Sequence, residues 1–175
     1  DISTGLTAFS AILRALIKRG KTGEGIDISI SMFDVMGDWM NMPLLAHRYM
    51  GGAPARMGLK HTFVAPYGAF VCGDGDRVLL SVQSNREFRS FCSVVLEDGD
   101  VADDPNFVDN PDRFNNRDLL DAIIDNVFGA LTAEQVIARL NAANIANARL
   151  NSVADLSEHP FLRNQVAQIG GAEIS

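Results

Sequence analysis

The chain has 175 residues, 47% of them apolar and 21% charged, with a net charge of −7 and a pI near 4.8. That is enough for one ordinary globular domain or parts of two. An acidic balance argues against a nucleic-acid partner, which needs a basic surface, and no apolar run approaches the length that spans a bilayer. Cys72 and Cys92 lack metal-ligand spacing. They read as reduced thiols of a cytosolic protein, so a cytoplasmic location is expected. The opening Asp1-Ile2-Ser3-Thr4 carries neither initiator Met nor signal peptide and reads as a cut end.

Leu6, Phe9, Ile12, Leu13, Leu16 and Ile17 recur at helical spacing, and Gly20 with the following Gly23 and Gly25 ends that helix. Ile26-Asp27-Ile28-Ser29-Ile30-Ser31 alternates as a strand does. Residues 32–50 read as one helix kinked at Pro43. Helix, strand, helix suggests part of a layered α/β domain whose other strands lie outside the chain.

Residues 51–64 form a linker or active-site loop, rich in Gly and Pro. Residues 69–72 and 78–82 then predict a hairpin across Gly73-Asp74-Gly75-Asp76. Ser84 caps a helix to about Leu96, and residues 97–114 read as an acidic surface loop. Amphipathic helices are expected over 115–131 and after the N-cap Thr132, followed by a short strand at 146–150. Ser152 caps a last short helix, and 166–175 looks like the start of a strand. The division expected is 1–50 as part of a large α/β domain, 51–64 as linker, 65–160 as a small α+β domain, and 161–175 as a segment returning to the large one.

No P-loop, dinucleotide fingerprint, zinc motif or nucleophile elbow is present. The Gly73–Asp76 turn has half the spacing of a calcium loop, and no metal site is expected. Of three histidines, His61 lies in a Gly/Pro-flanked loop, where function concentrates. By local physics alone, Asp1 is either an N-cap or a frayed end, or else a carboxylate held at a helix N-terminus as a nucleophile.

Several blocks recur in a known pattern. They are Asp1-Ile2-Ser3-Thr4-Gly5-Leu6, Lys21-Thr22-Gly23-Glu24-Gly25, Ala65-Pro66-Tyr67-Gly68-Ala69-Phe70, Asp103-Asp104-Pro105-Asn106-Phe107, Asn115-Asn116-Arg117 and Leu156-Ser157-Glu158-His159-Pro160. In this order they resemble the family III CoA-transferases, whose superfamily includes formyl-CoA transferase, carnitine CoA-transferase and the 2-methylacyl-CoA racemases. The resemblance implies a split Rossmann-like large domain plus a small α+β domain, in an interlocked homodimer. It implies Asp1 as catalytic nucleophile, forming an aspartyl anhydride and then an aspartyl-CoA thioester. Acyl-CoA and a carboxylic acid would be the partners, with the CoA thioester as substrate and no tightly bound cofactor. A mobile loop of the small domain would exclude water, and residues 58–68 match its place.

Racemases, the alternative reading, use the matching Asp as acid/base. They typically read Ala-Pro-Tyr-Tyr where this chain has Tyr67-Gly68, and carry a glutamate near Gln83, so both departures favour the transferase. A non-catalytic interaction module is the second alternative. The segment 41–49 with Arg56-Met57-Gly58 and His61-Thr62 is most similar to transferases of C4–C5 dicarboxylates such as mesaconyl-CoA, itaconate and succinyl-CoA enzymes. Arg56 and His61, with Tyr67 and Gly68, are the candidate substrate-binding residues. Most CoA contacts of the family lie upstream of the nucleophile, so this chain alone is expected to be inactive and to lack useful CoA affinity.

Overall fold

The computed structural model describes residues 1–174. The chain divides into two compact units, Asp1–Arg56 and Met57–Ser175.

The first unit is helical. Helix α1 (Ile2–Thr22) stops at Gly23, whose left-handed backbone (φ 76°) lets its N–H close on Arg19 O. Ser31 caps α2 (Met32–Trp39) by accepting from Asp34 N, and α3 (Asn41–Tyr49) follows. Only Ala46 is buried here, and the apolar stripe of α1 is open to solvent.

Two expectations fail in this unit. Residues 24–31 form no strand, because nothing among the described residues pairs with their backbone. The single helix over 32–50 is two helices, separated at Met40 rather than kinked at Pro43. Pro43 falls in the first turn of α3, where the missing N–H has no intrahelical partner to lose. The α/β sheet expected of a large domain is therefore not present within these residues.

The second unit is α+β. Strands β1 (Tyr67–Val71), β2 (Arg77–Ser81) and β3 (Ala146–Arg149) form an antiparallel sheet in the order β1-β2-β3. Phe70 lies opposite Val78 in the register, and Phe70, Val78 and Leu80 are buried. Against them pack α4 (Asn85–Ser90) with a π-helical turn at Phe91–Val95, α6 (Arg117–Phe128) and α7 (Ala133–Ala142). Phe70 and Phe128 meet edge to face at 5.9 Å. Helix α8 (Val153–Ser157) and a small hairpin, β4 (Ala167–Ile169) and β5 (Ala172–Ile174), follow.

The hairpin turn is held by backbone contacts and by the Asp74 side chain. Gly73 N donates to Leu131 O at 2.7 Å, and a Cβ at Gly73 would sit 2.6 Å from Gly129 O. Asp74 spends both carboxylate oxygens on backbone N–H groups, those of Asp76 and of Ala133 at the start of α7. Thr132 opens α7 with a capping box whose partner is Gln135, three positions on.

The acidic stretch 97–114 is more ordered than a surface loop. It holds a 3-10 turn at Gly99–Asp103 and a helix α5 (Asn110–Asn115), with Val101, Ala102, Phe107 and Arg113 buried. Asp109 caps α5 by accepting from Asp112 N, and Pro111 sits in its first turn. The helix expected to start near 115 thus begins earlier, breaks at Asn116, and resumes as α6.

Candidate functional site

Asp1 is the N-cap of α1 by backbone alone. Its carbonyl accepts from Gly5 N at 2.8 Å, and its side chain makes no capping bond. Among the described residues its carboxylate has no hydrogen-bond partner, and it stands at the positive end of a 21-residue helix. The Thr4 hydroxyl, one turn on, is shielded and has no partner among the described residues. Arg56 ends the first unit, exposed and without an ion pair or side-chain hydrogen bond among the described residues.

His61, Tyr67 and Gly68 belong to the second unit, and the structure brings these three together. His61 N donates to Tyr67 O at 2.9 Å, and the two rings stack with centroids 4.8 Å apart and planes 13° off parallel. Gly68 is buried beneath the loop, in an antiparallel bridge with Lys60. A Cβ there would come within 3.0 Å of Lys60 Cγ and 3.1 Å of Leu59 O, so glycine permits this close approach. That is the physical content of Tyr67-Gly68 where a second aromatic was the alternative.

The loop between Lys60 and Tyr67 is held from below by side chains that the sequence did not assign to a site. Arg117 donates through Nη1 to His61 O at 2.7 Å and through Nη2 to Val64 O. Asn110 donates to Phe63 O at 2.8 Å and accepts from Ala65 N at 3.1 Å. Arg113 donates through Nε to Ala65 O at 3.0 Å. Its Nη1 reaches Phe107 O and its Nη2 reaches Asn85 Oδ1. The Arg113 guanidinium also lies 4.4 Å over the Phe88 ring. Lys60 pairs with the buried Asp121 of α6.

Both arginines are nearly inaccessible, Arg113 at 1% and Arg117 at 6% exposure. Burial pulls both guanidinium pKa values below the usual arginine range, against nearby carboxylates that push the other way: Asp109 and Asp112 for Arg113, Asp121 and Asp118 for Arg117. Among the described residues Arg113 has only neutral oxygens as hydrogen-bond acceptors. A pattern in the sequence did carry the signal. Arg113 and Arg117 fall on the same stripe as Leu120, Ile124 and Phe128, where helical spacing calls for apolar residues. A cation on that stripe must find buried acceptors, and here it finds loop carbonyls.

The cysteines stand apart. Burial pushes the Cys92 thiol up to about 12 and raises that of Cys72, so neither offers a thiolate near neutral pH.

The chain also has counterparts among known proteins. The family model for CoA-transferase family III matches residues 1–169. The chain belongs to CoA-transferase family III. Over 98% of its length it is 31% identical to an acetyl-CoA:oxalate CoA-transferase of Acetobacter aceti, covering 44% of that protein. It is 28% identical to the mouse succinyl-CoA:glutarate CoA-transferase, over 94% of the chain and 37% of the relative. It is 26% identical to a succinyl-CoA:mesaconate CoA-transferase of Haloarcula marismortui, over 94% and 40% respectively. The chain thus spans less than half the length of these relatives. Among solved structures, a CAIB/BAIF family protein from Brucella suis is 30% identical with a TM-score of 0.69, over 90% of this chain and 41% of that one. Rv3272 of Mycobacterium tuberculosis, at 20% identity, shares the fold with a TM-score of 0.77, over 90% and 40%. No helix among the described residues is long and apolar enough to cross a membrane.

Proposed function

We propose that this chain carries the nucleophile and the substrate-facing loop of a CoA-transferase that moves CoA between carboxylic acids, acting on a C4–C5 dicarboxylate. The observation that carries the reading is the free carboxylate of Asp1 at the N-terminus of α1, in a chain of this family. Named activities of the relatives, on oxalate, glutarate and mesaconate, support a dicarboxylate.

In the proposed mechanism, the Asp1 carboxylate attacks the acyl carbon of the thioester. The C–S bond breaks, leaving an aspartyl acyl anhydride and CoA thiolate. The thiolate then attacks the aspartyl carbonyl, the anhydride C–O bond breaks, and the first acid departs as carboxylate. An acceptor carboxylate attacks the resulting aspartyl-CoA thioester and releases the thiolate, which takes the new acyl group and frees Asp1. No proton is consumed. A carboxylate suits both exchanges, because its anhydride and its thioester are each activated. The helix N-terminus favours the anionic form between turnovers. Water must be excluded from both intermediates, a task for the loop around His61. Arg56 and His61 are candidates to meet the distal carboxylate, with Tyr67 and Gly68 shaping the loop. The large α/β domain, the homodimer and the cytoplasmic setting belong to the same proposal.

The test uses protein made from its complete reading frame, succinyl-CoA and a panel of mono- and dicarboxylic acids, with product CoA esters read by mass spectrometry. Hydroxylamine should convert Asp1 to its hydroxamate during turnover, and Asp1→Asn should abolish both exchange and trapping. Racemisation of a 2-methylacyl-CoA without acyl exchange would sink the transferase reading.

A further inference from the structure

Four carbonyls of the loop over residues 61–66 are held by side chains of α5 and α6. The carbonyls of His61 and Val64 both go to Arg117, that of Phe63 to Asn110, and that of Ala65 to Arg113. Two further amides, Phe63 N and Val64 N, donate to one atom, His61 Nδ1, at 3.1 and 3.2 Å. An imidazole nitrogen that accepts N–H bonds carries no proton, so the neutral ring bears its hydrogen on Nε2. Stacking on Tyr67 fixes the ring plane. The Nε2–H is then a donor of set direction with no partner among the described residues. Guanidinium geometry explains why arginine does this work: a rigid fork can bridge two carbonyls three residues apart, and a single ammonium cannot.

We propose that Arg117 and Asn110 are positioning residues that clamp the 61–65 loop, so that His61 is held as a fixed Nε2–H donor to the acceptor acid's carboxylate. This rests on the reading above that His61 meets the substrate. It adds that His61 binds as a neutral hydrogen-bond donor, not as a base, and that α5 and α6 control it without touching substrate. Three of the inward carbonyls face a buried guanidinium and the fourth a side-chain amide, which makes the loop costly to peel away, because every carbonyl released would strand its donor.

The test combines hydrogen–deuterium exchange with steady-state kinetics on protein from the complete reading frame, with succinyl-CoA as donor and glutarate as acceptor. Arg117→Met should speed exchange of the 61–65 amides about tenfold or more while the β1–β2 hairpin stays protected. It should raise the KM for glutarate about tenfold, with the KM for succinyl-CoA little changed and Arg117→Lys intermediate. Asn110→Asp, which keeps the acceptor for Ala65 N but loses the donor to Phe63 O, should show a smaller change of the same kind. His61→Asn places an amide oxygen near the Nδ1 position but removes the Nε2–H. It should leave loop exchange as in the wild type and still raise the KM for glutarate.

An Arg117→Met loop that exchanges at the wild-type rate would overturn the clamp. So would loss of protection spread equally through β1, β2 and α6, which would make Arg117 a general core residue; Asn110→Asp decides the matter where Arg117→Met does not fold. A freed loop with unchanged KM would refute the link to His61. If the wild-type protein transfers CoA to no acid of the panel, the functional reading fails, and the exchange data alone decide whether the clamp exists.

Discussion

Arg113 supplies a stringent test of the reasoning, because it is a nearly inaccessible cation with no carboxylate hydrogen-bonded to it. Replacing it with Met keeps most of the volume and removes the charge. Three well-made acceptors, Ala65 O, Phe107 O and Asn85 Oδ1, then lose their donor. Each buried acceptor so stranded costs about 1 kcal/mol or more, and the lost stacking on Phe88 adds about 1 kcal/mol. Against this, the cost of holding a guanidinium out of water disappears, which returns part of the sum. The net expectation is a destabilisation of roughly 2–4 kcal/mol. Arg113→Lys should cost nearly as much, since an ammonium keeps the charge but cannot reach all three oxygens. Urea denaturation read by far-UV circular dichroism is the assay. Tryptophan fluorescence would miss the event, because the single Trp, Trp39, belongs to the first unit. A Met variant within about 0.5 kcal/mol of wild type would refute the claim that these hydrogen bonds outweigh desolvation.

Gly73→Ala should destabilise the second unit by about 1–3 kcal/mol, because its Cβ would be forced onto the backbone oxygen of Gly129; a thermal melt decides it, and a neutral result would mean the turn shifts freely. Cys92 should resist iodoacetamide at pH 8 in the folded protein and react at once in urea. Its thiol is raised to about 12, first by burial, so the folded state holds its proton where the unfolded chain loses it. That contribution to stability is fully present below the unfolded thiol's pKa of about 8.5 and is lost as pH rises through the folded value, so the urea midpoint should fall above about pH 9, and less so in Cys92→Ala.

Helix existence was legible where periodicity was strong: α1, α6 and α7 all lie on stripes that the sequence displays. The hairpin was legible from its glycine-rich acidic turn, and the caps at Ser84, Thr132 and Ser152 from their side-chain chemistry. Asp1 as the start of a helix was readable too, because the block Asp1-Ile2-Ser3-Thr4-Gly5 precedes a clean apolar repeat.

What the sequence could not decide depends on partners distant along the chain. Residues 26–31 alternate like a strand, yet a strand exists only when a neighbour takes up its hydrogen bonds, and none among the described residues does. The helical stripe through Arg113 and Arg117 says that these cations face inward, but not which acceptors they meet. Only the packing of α5 and α6 beneath the loop supplied the acceptors, and burial leaves a guanidinium no choice but to hold those carbonyls. By itself, the sequence therefore determined the local grammar and the family. The tertiary structure decided which polar groups are spent on architecture and which remain free to meet a substrate: hydrogen-bond satisfaction is settled by burial, and burial is a property of the whole fold.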